Sequence, residues 1–148
     1  LPNFPIIRDL VVDMEPFFEK WKKIKPYYLP KKEITDPVVM RPDSKEREFI
    51  DDMLDCISCG CCYSACSMVA TNKEYLGPAA LNRAYTLFAD KRDAIRVERL
   101  NVVDQTYGVW RCHTQFNCAE VCPKDIVPTR SIQNLKRRCV LKKFGIFK

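Results

Sequence analysis

Nine cysteines are the residues of this 148-residue chain whose types and spacing point most directly to chemistry. Eight of them fall in two tight groups, at residues 56–66 and 112–122, and only Cys139 stands apart. A secreted, disulfide-stapled scaffold would spread an even number of cysteines along a loop-rich chain behind a secretory signal. Clustered thiols without such a signal instead favour metal binding in a reducing compartment.

The first group, CISCGCCYSAC, places Cys56, Cys59, Cys62 and Cys66 at the spacing C-x2-C-x2-C-x3-C. In this bacterial-ferredoxin run, three closely spaced thiolates bind three corners of one iron–sulfur cluster, and the fourth cysteine ligates a neighbouring cluster. A zinc site is the alternative, but it would need two C-x2-C pairs separated by a longer loop. The spacing therefore predicts iron–sulfur ligation.

The second group, CHTQFNCAEVCP, follows the same template with one ligand missing. Cys112, Cys118 and Cys122 stand at the first, third and fourth cysteine positions, and Pro123 follows them as the template requires. The second cysteine position is occupied by Gln115. An amide is a poor ligand for iron in a cluster corner, so this half offers one ligand fewer.

Exchange of the fourth cysteines assigns both sites, and each site then draws on both groups. The predicted [4Fe-4S] ligands are Cys56, Cys59, Cys62 and Cys122. The predicted [3Fe-4S] ligands are Cys66, Cys112 and Cys118, with one corner left vacant. Two neighbouring clusters predict a one-electron relay. The alternative is that the clusters only stabilise the fold. The vacant corner disfavours it, because a purely structural cluster would be bound more tightly by a fourth thiolate.

Two cysteines are left over. Cys61 breaks the two-residue spacing, and we interpret it as a small loop residue packed near a cluster, with the role of a substitute ligand as the alternative. Cys139 lies on the apolar side of the last predicted helix, where we expect a buried and inert thiol.

The composition predicts one compact, mainly α protein. The chain is 47% hydrophobic and 30% charged, with a net charge of +6, and charges interrupt every run that approaches the ~18 apolar residues of a membrane span. Residues 1–43 are expected to hold an extended segment (1–13), a helix with Phe17, Trp21 and Ile24 on one side, and a proline-rich connection. Residues 44–148 are expected to form the helical two-cluster domain.

Helix signals in that domain are local. A capping box of Asp43 and Glu46 predicts a helix start, and the apolar side of that helix is expected at Phe49, Ile50, Met53 and Leu54. Gly77 and Pro78 predict the start of the longest amphipathic helix. A shorter helical piece runs through Ile95 and Leu100, and the last helix is predicted over 128–143, with Gly145 beyond its end.

The sequence resembles the C-terminal half of the iron–sulfur subunits of succinate dehydrogenase (respiratory complex II, in the tricarboxylic acid cycle), with fumarate reductases as close relatives. The resemblance covers nearly the whole chain, in the strings LPNFPIIRDLVVDM, IKPYYL, CISCGCCYSAC, LGPAAL, DKRD, RCHTQFNC, VCPK and VPTRSI. It implies an alpha-helical ferredoxin fold and the ligand sets assigned above. It also implies a relay from a flavin through [2Fe-2S], [4Fe-4S] and [3Fe-4S] clusters to a quinone such as ubiquinone.

The family's plant-type [2Fe-2S] domain has no counterpart here, because no C-x4-C-x2-C spacing occurs. The chain is thus expected to be a fragment or, as we favour, one part of a divided subunit whose [2Fe-2S] domain is a separate chain docked on residues 1–13. The other implied partners are membrane-anchor subunits and an FAD flavoprotein, which carries the dicarboxylate site. The implied location is peripheral, on the matrix side of the mitochondrial inner membrane or the cytoplasmic face of a bacterial inner membrane.

His113 is the only histidine, and its place after a predicted [3Fe-4S] ligand matches the dehydrogenase pattern and implies a role at the quinone site. A histidine bonded to cluster or backbone is the alternative. The loop from Cys66 to Gly77 lacks the tryptophan that reaches the quinone in dehydrogenases, and its length is closer to that of fumarate reductases.

Basic residues crowd the end of the last predicted helix: Lys136, Arg137, Arg138, Lys142 and Lys143. A solvated face beside the helix C-terminal dipole is the ordinary explanation. Contact with anionic headgroups or with an acidic anchor subunit is the alternative. No interleaving of aromatic and basic residues indicates nucleic-acid binding.

Two other functions are alternatives. The first is the iron–sulfur subunit of another quinone-linked oxidoreductase, of fumarate reductase, glycolate oxidase or heterodisulfide reductase type. The last two types carry two complete four-cysteine runs, which Gln115 argues against. The second is a non-catalytic protein with redox-silent structural clusters, for example a nucleic-acid-binding module.

Overall fold

The computed structural model describes residues 1–33, 35, 39–48 and 50–146, and within these ranges it is mainly helical, as predicted. The elements in chain order are β1 (Ile6–Arg8), β2 (Val11–Val12), α1 (Glu15–Lys23), α2 (Lys45–Glu48), α3 (Asp51–Leu54), α4 (Cys61–Ser64), α5 (Ser67–Thr71), α6 (Gly77–Ala89), α7 (Arg96–Val103), a 3-10 helix (Val109–Arg111), α8 (Asn117–Glu120) and α9 (Pro128–Lys143). No helix in the described ranges combines the length and the apolarity that a membrane crossing requires.

The N-terminal segment is attached to the helical domain through aromatic rings. β1 and β2 form a short antiparallel hairpin with Ile6 opposite Val12. Just before the hairpin, the buried Phe4 ring lies 6.2 Å from the ring of Phe17 in α1 and 5.0 Å from the ring of Tyr63 in α4. Because α4 carries part of the first cysteine run, this aromatic contact connects the N-terminal segment directly to the loop that the sequence marks as functional.

The proline-rich connection is fastened by a buried ion pair between Asp93 and Arg99, whose side chains are 0% and 1% exposed. The Nε atom of Arg99 donates to Oδ2 of Asp93 at 2.9 Å, and its Nη1 atom donates to the carbonyl of Ile24 at 2.9 Å. The backbone amide of Leu29 donates to Oδ1 of Asp93 at 3.1 Å. The pair therefore satisfies backbone groups at the end of α1 and in the connection, which would otherwise be buried without partners.

α6 and α9 form the centre of the domain, and α6, which the sequence predicts to be amphipathic, is buried on nearly all of its sides. The fully buried apolar positions of the two helices are Leu81, Ala84 and Phe88 in α6 and Ile132, Leu135 and Cys139 in α9. The Asn82 side chain joins three elements, since its Oδ1 atom accepts from the Ser131 hydroxyl at 2.8 Å and its Nδ2 atom donates to the Met53 carbonyl at 3.4 Å. A buried amide with both ends bonded fixes the relative position of the helices more specifically than apolar contact does.

The start of α6 requires a glycine. Gly77 has a φ of +84°, and a Cβ atom there would lie 2.8 Å from Cδ2 of Tyr63. The left-handed region costs other residues roughly 1–2 kcal/mol even without a clash. Pro78 then occupies the first turn, where its missing N–H is not needed. The predicted start of this helix is thus confirmed.

The predicted capping box at Asp43 is wrong. Ser44 caps α2, because its hydroxyl oxygen accepts the backbone N–H of Arg47 at 3.2 Å, whereas the carboxylate of Asp43 lies 3.7 Å from the guanidinium of Arg41. The helix begins at Lys45, and a cap must come from the residue immediately before the first turn. The side chain of Glu46 lies outside the described part of the chain.

The helix predicted after this cap is divided in two, α2 and α3. Ile50 and Met53 are buried as expected, but Leu54 is 41% exposed. Phe49 lies outside the described residues. The apolar spacing therefore marks the correct buried side at two positions, although the helix is interrupted between them.

Arg99→Met is expected to lower the free energy of unfolding by about 3–5 kcal/mol, because it leaves the carboxylate of Asp93 buried without its charge partner. Chemical denaturation of the cluster-loaded chain measures this loss. Arg47→Met is the control, since its ion pair with Asp51 is largely solvent-exposed and is worth less than about 1 kcal/mol. Equal losses in both variants would contradict the role assigned to the buried pair.

Candidate metal centres

One pocket is lined by four cysteines: Cys56, Cys59, Cys62 and Cys122. The first two lie in the loop before α4, the third lies in α4, and the fourth follows α8. Small and apolar residues complete the wall, among them Gly60, Ala79, Pro123 and Ile126. The pocket encloses about 410 Å³, including its open mouth.

A second pocket is lined by three cysteines: Cys66, Cys112 and Cys118. Gln115, His113, Tyr75 and Thr129 lie on the same wall. The structure thus brings together, in two separate pockets, the same two sets of cysteines that exchange of the fourth ligands predicts. It also places Gln115, the residue at the missing-cysteine position, beside the three-cysteine set.

The two pockets share a wall that α6 and α9 build from their first turns. Pro78 faces the second pocket and Ala79 the first. Pro128 likewise faces the first pocket, while Thr129 faces the second. Because the same two helix starts line both pockets, the pockets are direct neighbours.

The cysteine loops bend through unusual backbone conformations. Ser58 and Gly60 in the first loop have φ values of +56° and +78°, and Thr114 and Phe116 in the second have +60° and +65°. Residues other than glycine adopt this region at a cost, and such residues are concentrated at functional sites. Here they curl each loop so that cysteines separated by two to five residues line one pocket.

Burial and mutual repulsion make these thiols hard to ionise without a cation. Burial raises the pKa of Cys62 far above its usual value, and the neighbouring charges of Cys56 and Cys118 raise it further. Burial likewise raises the pKa of Cys66 and, against a hydrogen bond from Thr129 that opposes it, the pKa of Cys118. Positively charged iron removes this obstacle, and thiolates are the ligands that iron–sulfur clusters require, so the donor sets fit such clusters.

Among the described residues, no three cysteine, histidine or carboxylate side chains converge as they would on a single ion. A lone zinc ion needs four ligand atoms at about 2.0–2.3 Å from one centre. In a cluster each thiolate binds a different iron at its own corner, so the sulfur atoms surround the pocket without meeting at one point. The cysteines that line each pocket therefore need not converge on one point to serve as cluster ligands.

The second pocket contains hydrogen-bond donors that the sequence analysis missed. The hydroxyl of Thr129 lies 3.3 Å from Sγ of Cys118, the backbone N–H of Thr114 donates to Sγ of Cys112 at 3.5 Å, and the buried Tyr75 side chain lines the same pocket. Neither cysteine spacing nor helical periodicity singles out Thr129 or Tyr75 as a functional residue. Their role depends on contacts distant in sequence, which spacing does not reveal.

The side chain of Gln115 is held by a hydrogen bond from Ser67, the residue that follows the first cysteine run. The hydroxyl of Ser67 donates to Oε1 of Gln115. The hydrogen bond engages one of the two lone pairs of that oxygen, and the amide is in any case a poor ligand for cluster iron, which prefers soft thiolates. His113 lies on the same wall and is exposed to solvent.

The two remaining cysteines differ in environment. Cys61 is partly exposed, and its thiol bonds the neighbouring Cys59, which raises the pKa of Cys61. Cys139 is fully buried, and burial raises its pKa to about 12. The prediction that Cys139 is a buried residue is confirmed, and a thiol with such a pKa is unreactive at neutral pH.

Three of the five basic residues predicted at the end of the last helix contact this chain. Lys136 donates from Nζ to the carbonyl of Cys112 at 2.8 Å, which ties α9 to the second cysteine loop. Lys142 donates to the Asn101 side chain, and Lys143 lies 3.4 Å from the Asp104 carboxylate. Part of the positive charge on α9 is therefore engaged in polar contacts within the domain.

Comparison with known proteins finds a matching family and similar relatives, and the matched ranges include the cysteines of both pockets. A family model described as the 4Fe-4S dicluster domain matches residues 52–126, a range that contains all seven predicted ligands. The succinate dehydrogenase iron-sulfur subunit of Coxiella burnetii (strain RSA 493 / Nine Mile phase I) is 42% identical over 137 residues, which cover 92% of this chain and 58% of that protein. The mitochondrial succinate dehydrogenase [ubiquinone] iron-sulfur subunit 1 of Oryza sativa subsp. japonica is 38% identical over 139 residues, which cover 93% of this chain and 50% of that protein. The chain thus spans about half the length of the curated relatives it matches.

If the two cysteine groups exchange their fourth cysteines, replacing such a cysteine should remove the cluster of the pocket that it lines, and not the cluster of its own group. Cys122→Ala is expected to abolish the [4Fe-4S] signal of the reduced protein and keep the [3Fe-4S] signal of the oxidised protein. Cys66→Ala is expected to do the reverse, although Cys66 belongs to the first run. Electron paramagnetic resonance (EPR) of both redox states measures this.

Cys139→Ala serves as the control for these two variants, because it also removes a buried sulfur but lines neither pocket. Both signals should persist in it. Loss of the [4Fe-4S] signal in Cys66→Ala with the [3Fe-4S] signal intact would contradict the exchange.

Proposed function

Because the chain belongs to the 4Fe-4S dicluster domain family, we propose that it is an electron-transfer iron–sulfur subunit of a succinate:quinone oxidoreductase, complex II. The observation that carries this proposal is the pair of neighbouring cysteine pockets with a shared wall. Neighbouring pockets suit a relay, since an electron passes between centres only over short distances. The names of the two relatives supply the choice of complex.

The two pockets are proposed to hold unlike clusters. Iron–sulfur clusters bound there supply one-electron redox chemistry over a wide range of potentials. Cys56, Cys59, Cys62 and Cys122 would hold [4Fe-4S], and Cys66, Cys112 and Cys118 would hold [3Fe-4S]. Supporting the second assignment, Gln115 lines this pocket at the missing-cysteine position, and its amide is a poor ligand for cluster iron.

In this proposal, residues of the chain hold the clusters and limit the access of water to them. The thiolates fix the clusters, and the apolar side chains of Ala79 and Ile126 limit access of water to the first pocket. A site of low polarity around a cluster affects its potential as well as its stability. The chain is proposed to carry no dicarboxylate chemistry, which would belong to the FAD flavoprotein subunit.

The N-terminal hairpin supports a docking role toward the [2Fe-2S] domain. Four apolar side chains project from it into solvent: Ile6, Ile7, Leu10 and Val11, with Leu10 95% exposed. Contiguous exposed apolar residues mark interaction sites more often than free surface. We therefore propose that this hairpin lies in the interface with that domain.

The quinone end is proposed to lie at the second pocket. His113 is exposed on its wall, and the neighbouring Phe116 is 48% exposed. An aromatic ring and a titratable imidazole beside the terminal cluster suit contact with a quinone and with membrane-anchor subunits. The subunit would then be peripheral, at a mitochondrial inner membrane or on the cytoplasmic face of a bacterial one.

EPR of the intact complex tests this function, since an oxidised [3Fe-4S] centre is paramagnetic and an oxidised [4Fe-4S] centre is silent. Succinate is expected to remove most of the oxidised signal by reduction, and ubiquinone is expected to restore it. Malonate, which competes with succinate at a dicarboxylate site, provides the control and should block the loss. A complex whose oxidised signal is absent, or does not respond to succinate, would refute the proposal.

A further inference from the structure

Hydrogen bonding to the cysteine sulfurs differs between the two pockets. In the described part of the chain, both hydrogen bonds of 3.5 Å or less to a predicted ligand sulfur lie at the three-cysteine pocket. The side-chain hydroxyl of Thr129 bonds Cys118, and the backbone N–H of Thr114 bonds Cys112. Thr129 is therefore the one side chain of this pair of donors.

Thr129 is placed for this contact by the start of α9. It is only 2% exposed, and its Oγ1 atom lies 3.3 Å from Sγ of Cys118. Pro128 before it begins the helix, so the first turn holds the hydroxyl rigidly against the pocket wall. A buried hydroxyl needs a partner, and in this structure that partner is the sulfur.

The direction of the hydrogen bond follows from the chemistry of the sulfur. A cysteine bound to iron is a thiolate without a proton, so it can only accept. The hydroxyl of Thr129 must therefore donate.

We propose that Thr129 donates a hydrogen bond to the iron-bound sulfur of Cys118 and so raises the reduction potential of the three-cysteine cluster. Reduction adds one electron and therefore negative charge, which is shared with the sulfurs. A donor stabilises the reduced state more than the oxidised state, because charge-assisted hydrogen bonds strengthen with charge. In this step no proton is transferred, and no bond to iron forms or breaks.

A higher potential at the three-cysteine pocket favours electron transfer toward it from the four-cysteine pocket. Hydrogen bonds to sulfur are among the factors that set cluster potentials. This inference rests on the proposed function, since it requires both clusters to be present. It adds that Thr129, which is not a ligand, contributes to the driving force between the clusters.

Thr129→Val tests the inference by removing the hydroxyl while keeping the shape of the side chain. The equilibrium constant for one-electron reduction of the [3Fe-4S] cluster is expected to fall about tenfold, which lowers its potential by about 59 mV. An EPR-monitored redox titration of the intact complex measures it. The potential of the [4Fe-4S] cluster in the same sample should not change.

Two matched variants separate tuning from structural damage. Thr129→Ser keeps a hydroxyl and should retain the wild-type potential. Thr86→Val also removes a buried hydroxyl, but Thr86 bonds the Arg83 carbonyl at 2.8 Å and lines neither pocket, so it should leave both potentials unchanged. Thr129→Ala also removes the hydroxyl, without the bulk of valine, and should lower the same potential, which keeps the test decisive if Thr129→Val does not assemble.

Pulsed EPR of the complex in deuterated water offers a second readout that does not depend on the potential. An exchangeable proton coupled to the [3Fe-4S] spin should be lost in Thr129→Val and retained in Thr129→Ser. Unchanged potentials in both Thr129→Val and Thr129→Ala, or equal shifts of both clusters, would overturn the inference. Absence of the oxidised signal in the wild-type complex would instead refute the proposed function, so the two failures are distinguishable.

Discussion

The structure depends on a crossing of two cysteine loops, in which each loop completes the pocket of the other. Cys66 leaves the first run to line the second pocket, and Cys122 leaves the second group to line the first. Neither pocket has its full set of cysteines unless both loops are in place. Because burial and the charges of neighbouring cysteines oppose the ionisation of Cys62, a bound cluster would supply the counter-charge in the first pocket, and its binding would then be coupled to folding.

A framework of buried polar contacts holds the loops in this arrangement. Asn82 bonds Ser131 and the Met53 carbonyl, which fixes α6 against α9 at the wall between the pockets. Farther away, the ion pair of Asp93 and Arg99 holds the end of α1 and the connection. A buried network with all its members satisfied specifies one arrangement of the helices, whereas an apolar core alone tolerates several.

Local signals in the sequence predict those features that short-range chemistry determines. α9 spans 128–143 as expected, because Pro128 sets its first turn and Gly145, with a φ of +69°, follows its end. α6 likewise begins at Gly77. The fold class follows from the same periodic and punctuating residues, and the cysteine spacing predicts two groups that the structure indeed brings together across the domain.

Features that depend on long-range contact could not be predicted in this way. The string DKRD is visible in the sequence, but the partnership of Asp93 with Arg99 and with the Leu29 amide becomes apparent only in three dimensions. The same is true of Thr129, whose hydroxyl group meets the sulfur of Cys118 from another segment. Asp43 and Ser44 are adjacent, and both are residue types that cap helices. Which of them caps α2 depends on the residue at which the helix begins, and this becomes apparent only in the structure.

Native mass spectrometry of the anaerobically purified, cluster-loaded chain tests the central claim, that crossed loops hold two unlike clusters, most directly. The account predicts a mass equal to the polypeptide plus one [4Fe-4S] and one [3Fe-4S] cluster. Cys61→Ala should have the same cluster content, since Cys61 lines neither pocket. A chain that carries two [4Fe-4S] clusters, a single cluster or a lone zinc ion would contradict the account.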